Sequence, residues 1–265
     1  MELAPRRLIL SLFGLYARPE GNWLSVAALI SLMADLGVDS AAVRSSVSRL
    51  KKRGVLEAVR RDGQAGYTLS DEALAILREG DARIWSRPRA TPTDGWLVVV
   101  FSVPESEREN RHLLRSLLTR LGFGTAAPGV WLAPGTLYDA ALAALERQGL
   151  ASYTEFFRGS YLGVGDAATR IGQWWDLDAL TKLYSDFDAS YRPVLGLGSP
   201  SPAVAFTTYV PMLTQWRRLP YLDPGLPLAH LPEHWSGIGA GEVFAELDAR
   251  LRERAAEHAR PVVHA

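Results

Sequence analysis

The chain contains no cysteine, which excludes a disulfide framework and any thiolate metal site and is compatible with a reducing compartment. It also has no apolar run near the roughly 18 residues that a membrane-spanning helix needs. Arg6 and Arg7 precede the apolar stretch Leu8–Phe13, but the stretch is short and no small-residue cleavage site follows at Gly14, Tyr16 or Arg18. A soluble first helix is therefore expected rather than a secretion signal, with a cytoplasmic setting and no membrane partner. Enzyme signatures are missing too: there is no P-loop, no Gly-x-Gly-x-x-Gly, no Gly-x-Ser-x-Gly and no His-Glu-x-x-His. Gly196 and Gly198 are followed by Ser-Pro and mark a loop. His230 and His234 have the helical spacing of metal ligands, yet Pro232 between them opposes a regular helix, so neither metal nor cofactor is expected. Glu105, Glu107 and Glu109 sit where a helix begins, and acids there answer its dipole.

Net charge is absent as well, since 29 Lys and Arg balance 29 Asp and Glu, but the balance is uneven along the chain. Residues 1–87 carry 13 basic against 10 acidic side chains, and residues 88–265 carry 16 against 19. Within 44–61 seven basic residues (Arg44, Arg49, Lys51, Lys52, Arg53, Arg60, Arg61) face one acid, Glu57. A basic cluster of this density in an otherwise neutral chain suits a polyanion.

At 265 residues, 48% of them hydrophobic, the chain is long enough for two or three units with real cores. Three segments are expected. The first, 1–87, shows helical apolar spacing at Arg7–Arg18 and Ser25–Leu36, the latter stopped by Gly37. A third helix is expected from a cap at Asp39 or Ser40 to Arg53, stopped by Gly54. Strands Val55–Arg61 and Tyr67–Leu69 follow around a loop at Asp62–Gly66, then a fourth helix capped by Ser70. Helix, helix, helix, strand, strand, helix is the order of a winged helix-turn-helix. Arg87, Pro88 and Pro92 mark a linker. The second segment, 95–172, reads strand Trp96–Val103, helix Ser106–Leu121 with Leu113, Leu114, Leu117, Leu118 and Leu121 on one face, strands Phe123–Ala126 and Val130–Ala133, helix Leu137–Gln148 and strand Ser152–Phe157. This βαββαβ order is ferredoxin-like. The third segment, 173–265, is helical, with helices expected at Leu177–Tyr191, at Ala203–Arg218 with a kink at Pro211, and at Ala240–Ala259. The fold class is α+β.

The third helix carries the functional expectation. At about 100° per residue, Val43, Val47 and Leu50 form one stripe that faces a core. Ser45, Ser48 and Lys52 then point away from it, flanked by Arg44 and Arg49. Serine hydroxyls and arginine forks suit base edges in the major groove, and lysines near the helix end, such as Lys51 and Lys52, suit phosphates. Arg60, Arg61 and Gln64 lead into the wing. The bland alternative is a solvated basic helix face; the element order, wing and charge cluster together favour DNA binding. The ferredoxin-like order also occurs in CRISPR-associated ribonucleases, which use an aspartate near the end of the first strand. Here that stretch is Phe101-Ser102-Val103-Pro104, without the acid.

The sequence resembles the PaaX family, repressors of phenylacetic acid degradation genes, over nearly its whole length. The likeness lies in Leu36-Gly37-Val38, in the run from Ala42 to Leu50, in Tyr67-Thr68-Leu69-Ser70, in Val103-Pro104-Glu105, in Leu121-Gly122-Phe123-Gly124 and in the run from Pro128 to Pro134. It continues in Trp216-Arg217-Arg218, Asp223-Pro224-Gly225-Leu226-Pro227, Leu231-Pro232 and Trp235-Ser236-Gly237, the most specific set. The resemblance implies a homodimeric repressor that binds an inverted-repeat operator in double-stranded DNA and is released by phenylacetyl-coenzyme A. It implies a winged helix, a ferredoxin-like middle domain and a helical C-terminal domain for effector and dimer contacts. Gln64 stands where a basic wing residue is expected. Trp216, Arg217, Arg218, Tyr221 and Trp235 are candidate effector contacts, with Trp174 and Trp175 as further aryl surfaces; arginine pairs bidentately with phosphate, although tryptophans at this density also read as core. The alternatives are a regulator answering a different acyl-coenzyme A or other ligand, a nucleic-acid-processing or thioester-processing enzyme, and a protein-interaction scaffold.

Overall fold

The computed structural model describes residues 3–86, 89–163 and 167–265; Arg87 and Pro88 of the expected linker lie outside the described residues. The chain opens with α1 (Pro5–Leu12), prolonged by a π-helical turn at Phe13–Ala17, then β1 (Leu24–Ser25), α2 (Val26–Asp35), α3 (Ser40–Lys52), β2 (Leu56–Arg61), β3 (Gln64–Leu69) and α4 (Asp71–Trp85). Next come β4 (Trp96–Phe101), α5 (Arg108–Arg120), β5 (Gly124–Ala127), β6 (Val130–Pro134), α6 (Tyr138–Arg147) and β7 (Thr154–Gly159). The chain ends with α7 (Ala167–Trp174), α8 (Leu177–Leu195), α9 (Pro202–Trp216), α10 (Leu219–Leu222) and α11 (Ser236–Val263). Helices beside two antiparallel sheets make the protein α+β. Among the described residues no helix is long and apolar enough to cross a membrane.

The chain divides into two compact units, and neither is a continuous stretch of sequence. One comprises the residues up to Asp81 with Phe187–Arg217 and the residues from Ala240 on; the other comprises Ala82–Asp186 and Arg218–Gly239.

In the first unit, α1 buries Leu8, Ile9 and Leu12 against partners that include α9. The Thr214 hydroxyl sits 2.7 Å from the Ser11 hydroxyl and 2.7 Å from the Val210 carbonyl, a buried polar contact that ties α9 to α1. The Tyr16 ring lies 5.9 Å from Phe206. Trp216 stacks on Phe244 of α11 with ring centres 4.4 Å apart. The Tyr209 hydroxyl donates to the Asp248 carboxylate at 2.6 Å, and burial together with that carboxylate pushes the phenol pKa up. Helix α9 runs unbroken through Pro211. Its missing N–H leaves the carbonyl of Thr207, four residues earlier, without the usual intrahelical donor. The hairpin turn is tighter than the five-residue loop that the turn formers suggested. Asp62 and Gly63 both adopt positive φ, +49° and +80°, which is the two-residue I′ geometry, so Gln64, Ala65 and Gly66 join β3. The strand pair acquires a third member that periodicity did not reveal, since β1 is only two residues long.

The second unit holds a four-stranded antiparallel sheet in the order β5-β6-β4-β7. Alternation along β4 and β6 sends Leu97, Val99, Trp131 and Ala133 into a core with Leu118 and Ala141 of α5 and α6. The opposite face carries Leu132, packed with Ile171, Trp175 and Leu226. The apolar face expected for α5 is narrower than its leucines suggested: Leu114, Leu117 and Leu118 are buried, while Leu113 is 49% exposed. Leu113 sits 100° round the helix from Leu114, beyond the stripe that the sheet covers. Helices α7 and α10 were not expected from the sequence. Both are short, eight residues for α7 and four for α10, and α10 contains Pro220, so each falls below the length at which a repeating apolar pattern stands out. The Asp223 carboxylate is 3% exposed and receives Arg89 at 2.8 Å, the Tyr184 hydroxyl at 2.9 Å and the Gly225 N–H at 2.9 Å.

Candidate nucleic-acid interface

Helix α3 is set by its ends. The Asp39 side chain accepts from the N–H groups of Ala41 and Ala42, both at 2.9 Å, satisfying two donors that a helix start leaves open. At the other end Gly54 adopts φ +66° and Val55 N–H returns to the Leu50 carbonyl at 3.0 Å, the αL stop that glycine makes cheap. Gly37, at φ +75°, turns the chain between α2 and α3. Val43, Ser46, Val47 and Leu50 are buried, which fixes the rotation of the helix. Arg44, Ser45, Ser48, Arg49, Lys51 and Lys52 are consequently exposed.

This leaves an outward face with two serines toward the middle and cations at the flanks and end. Among the described residues, Ser45, Ser48 and Lys52 have no side-chain hydrogen bond or ion pair. Arg44 is 3.5 Å from the Ser40 hydroxyl, and Arg49 donates to the Ser46 hydroxyl at 3.3 Å. Neither arginine faces a carboxylate, so the positive charge of the helix is not neutralised locally. The Lys51 ammonium lies 6.0 Å from the centre of the Tyr67 ring.

The hairpin that follows places Arg60, Arg61 and Gln64 at its outer end, all exposed. Arg60 pairs with Ala65, and Arg61 with Gln64. Arg61 donates to the Gly21 carbonyl at 2.8 Å and covers the Trp23 ring at 5.7 Å. Gln64 donates to the Ala265 carbonyl at 3.4 Å. The supporting segment Gly21–Trp23 was not singled out in the sequence. Asn22, at φ +59°, donates to Thr68 at 2.7 Å and to the Leu69 carbonyl at 2.9 Å, tying β3 to the chain before β1. No periodic signal marks three residues of this kind.

The candidate effector residues fall in both compact units. Trp216 and Arg217 belong to the first: Trp216 is 1% exposed, and Arg217 donates to the Arg7 carbonyl at 3.0 Å. Arg218, Tyr221 and Trp235 belong to the second, where Arg83 stands 5.4 Å over the Tyr221 ring and Trp235 packs edge-on against Tyr184. Trp174 and Trp175 pack around Trp96 in the second unit, with ring centres 6.0 Å from it.

Comparison with known proteins finds three consecutive family models. A PaaX-like protein model matches residues 4–73, the PaaX protein central Cas2-like domain matches 89–171, and the PaaX-like protein C-terminal domain matches 175–261. The chain is 27% identical over 255 residues to the transcriptional repressor PaaX of Escherichia coli K12, a match covering 92% of this chain and 79% of that protein. It is also similar to the solved structure of the uncharacterized protein Rv0674 from Mycobacterium tuberculosis, with TM-score 0.62 and 26% identity over 98% of this chain and 100% of the other.

Proposed function

Because the chain belongs to the PaaX family, as its match to all three of that family's models shows, we propose that it is a cytoplasmic DNA-binding repressor of phenylacetate-type catabolic genes. Membership of a repressor family makes it a regulator rather than an enzyme. In this reading the residues up to Trp85 act as a winged helix-turn-helix, with α3 in the major groove and β2–β3 as the wing. The sheet order β5-β6-β4-β7 with α5 and α6 on one face supports a ferredoxin-like middle domain, and the later helices serve effector and dimer contacts. The observation that carries the DNA reading is the exposed serine and cation face of α3, held outward by buried Val43, Val47 and Leu50. Serine and arginine there read base edges, and the lysines hold phosphates.

A homodimer brings two such helices to an inverted repeat, with half-sites separated by one or more turns of about 10 bp. An aryl-coenzyme A thioester, phenylacetyl-coenzyme A first among them, lowers the operator affinity. The alternative within the same class is a different acyl-coenzyme A or other ligand. The deciding experiment is titration of the full chain against duplexes from its own upstream region, with and without acyl thioesters. Salt-sensitive binding that the Arg49→Ala, Lys52→Ala double variant weakens strongly supports α3 as the reader; binding unchanged in that variant removes it from the role.

A further inference from the structure

The hairpin β2–β3 has two chemically different faces. Antiparallel register pairs Leu56 with Leu69, Ala58 with Tyr67 and Arg60 with Ala65, and alternation puts these six side chains on one face. Val59 with Gly66 and Arg61 with Gln64 lie on the other. The two adjacent arginines therefore leave the strand in opposite directions.

The first face belongs with α3. Leu56 and Leu69 are core residues, and farther out the Lys51 ammonium of α3 lies 6.0 Å from the Tyr67 ring. Arg60 continues that face toward the turn, and among the described residues it has no hydrogen bond or ion pair. The second face is closed by Trp23. A Cβ on Gly66 would come within 2.4 Å of the indole and 2.5 Å of the Leu24 carbonyl, so only glycine admits the ring at that distance. The indole Nε1 donates to the Val59 carbonyl at 3.3 Å. Arg61 is then held twice, stacked at 5.7 Å on the indole and hydrogen-bonded at 2.8 Å to Gly21. Gln64, opposite it, is directed to the Ala265 carbonyl.

We propose that only one face of this hairpin meets DNA: Arg60 is its phosphate-binding cation, continuous with Lys51 and Lys52, while Arg61 and Gln64 form a buttress with Trp23 that sets the angle of the wing. The assignment rests on the DNA-binding reading above. It sorts two neighbouring arginines of the basic cluster, indistinguishable in composition, into one that supplies charge to the partner and one that positions the first. It also accounts for the neutral Gln64, since on the buttress face a cation there has no phosphate to meet.

The test uses the full-length chain and a mixed-sequence duplex of about 30 bp, with affinity measured between about 50 and 200 mM salt, where the slope counts neutralised phosphates. Arg60→Gln lowers the log–log slope by about one, the loss expected for one phosphate contact, and leaves the thermal midpoint in place. Arg61→Gln leaves the slope unchanged and lowers the midpoint. Combined with Trp23→Phe it lowers the midpoint by less than the two single shifts added, because both act on one cluster. A slope loss of about one in Arg61→Gln, or an unchanged slope in Arg60→Gln, overturns the assignment. A wild-type chain with no salt-dependent affinity for any duplex overturns the DNA reading itself, and the assignment of Arg60 with it; the coupling between Arg61 and Trp23 is measurable without DNA and separates the two failures.

Discussion

A carboxylate taken out of water survives only where its charge is answered, and Asp223 is answered from three sides, by Arg89, Tyr184 and the Gly225 N–H. Replacing it by alanine removes the counter-charge of the largely covered Arg89 guanidinium, which keeps its donation to the Leu226 carbonyl, and an acceptor of the Tyr184 hydroxyl, so Asp223→Ala should cost about 2–4 kcal/mol, read as a lowered denaturation midpoint. Ser45 and Lys52 of α3 obey the opposite logic, because among the described residues their exposed side chains have no hydrogen bond or ion pair within the protein. Lys52→Ala should weaken binding to all duplexes alike and reduce the salt slope by about one, whereas Ser45→Ala should change the preferred sequence more than the slope. A Lys52 variant with altered sequence preference and an intact slope would contradict that division. Arg217 stands between these cases. Its donation to the Arg7 carbonyl predicts that Arg217→Ala lowers the midpoint whether or not effector is present, so loss of effector response in that variant is informative only beside a stability measurement.

At the scale of elements, the ends matter as much as the faces. Asp39 answers two orphan N–H groups at the start of α3, and Asp39→Ala should destabilise the chain by about 1 kcal/mol. Gly66 answers a different demand: β1, β3 and the Trp23 ring meet there with no room for a side chain. Gly66→Ala should separate β1 from β3 at a cost of about 1–3 kcal/mol, visible as faster amide exchange at Leu24 and Tyr67. Normal protection of those two amides would show that the indole can move aside freely. Much of this level was legible beforehand. The caps, the Gly37 and Gly54 stops and the buried stripe of α3 are local features, because a helix closes its hydrogen bonds within four residues. The strands of the hairpin β2–β3 are legible too, but five turn formers in a row, Asp62–Gly66, suggest too long a loop, although Asp62-Gly63 alone carries the I′ signal and takes positive φ. Leu113 was misjudged for a related reason: the width of an apolar face depends on what covers it.

For the molecule as a whole, the compact units are not contiguous. The buried apolar side of α1 meets α9, nearly two hundred residues later, through Ser11 and Thr214 and through Tyr16 and Phe206. A fragment of residues 1–87 lacks that cover. It should therefore show exposed apolar surface, for instance by dye binding, and an unfolding midpoint well below that of the full chain. A cooperative transition in the fragment matching the full-length midpoint would mean that α1 needs no partner outside it. Effector action belongs to this scale as well. If an aryl thioester weakens operator binding, the operator must weaken thioester binding by the same factor, with a coupling of about 1–3 kcal/mol, roughly 5- to 150-fold. Calorimetry with and without operator measures both sides, and indifference to every thioester would end the effector proposal while leaving the DNA reading intact.

The amino-acid sequence by itself determined the α+β class, most of the helices and strands, and the basic outward face of α3, because periodicity, caps and charge are local properties that neighbouring residues impose on one another. Only the tertiary structure decided which distant helices share a core, that Trp216 is packed inside one unit and Trp235 inside the other, and that Arg60 and Arg61 serve opposite faces of one hairpin. Those outcomes depend on strand register and on contacts between segments far apart in the chain, where a single ring such as Trp23 can claim one arginine and leave its neighbour to the solvent.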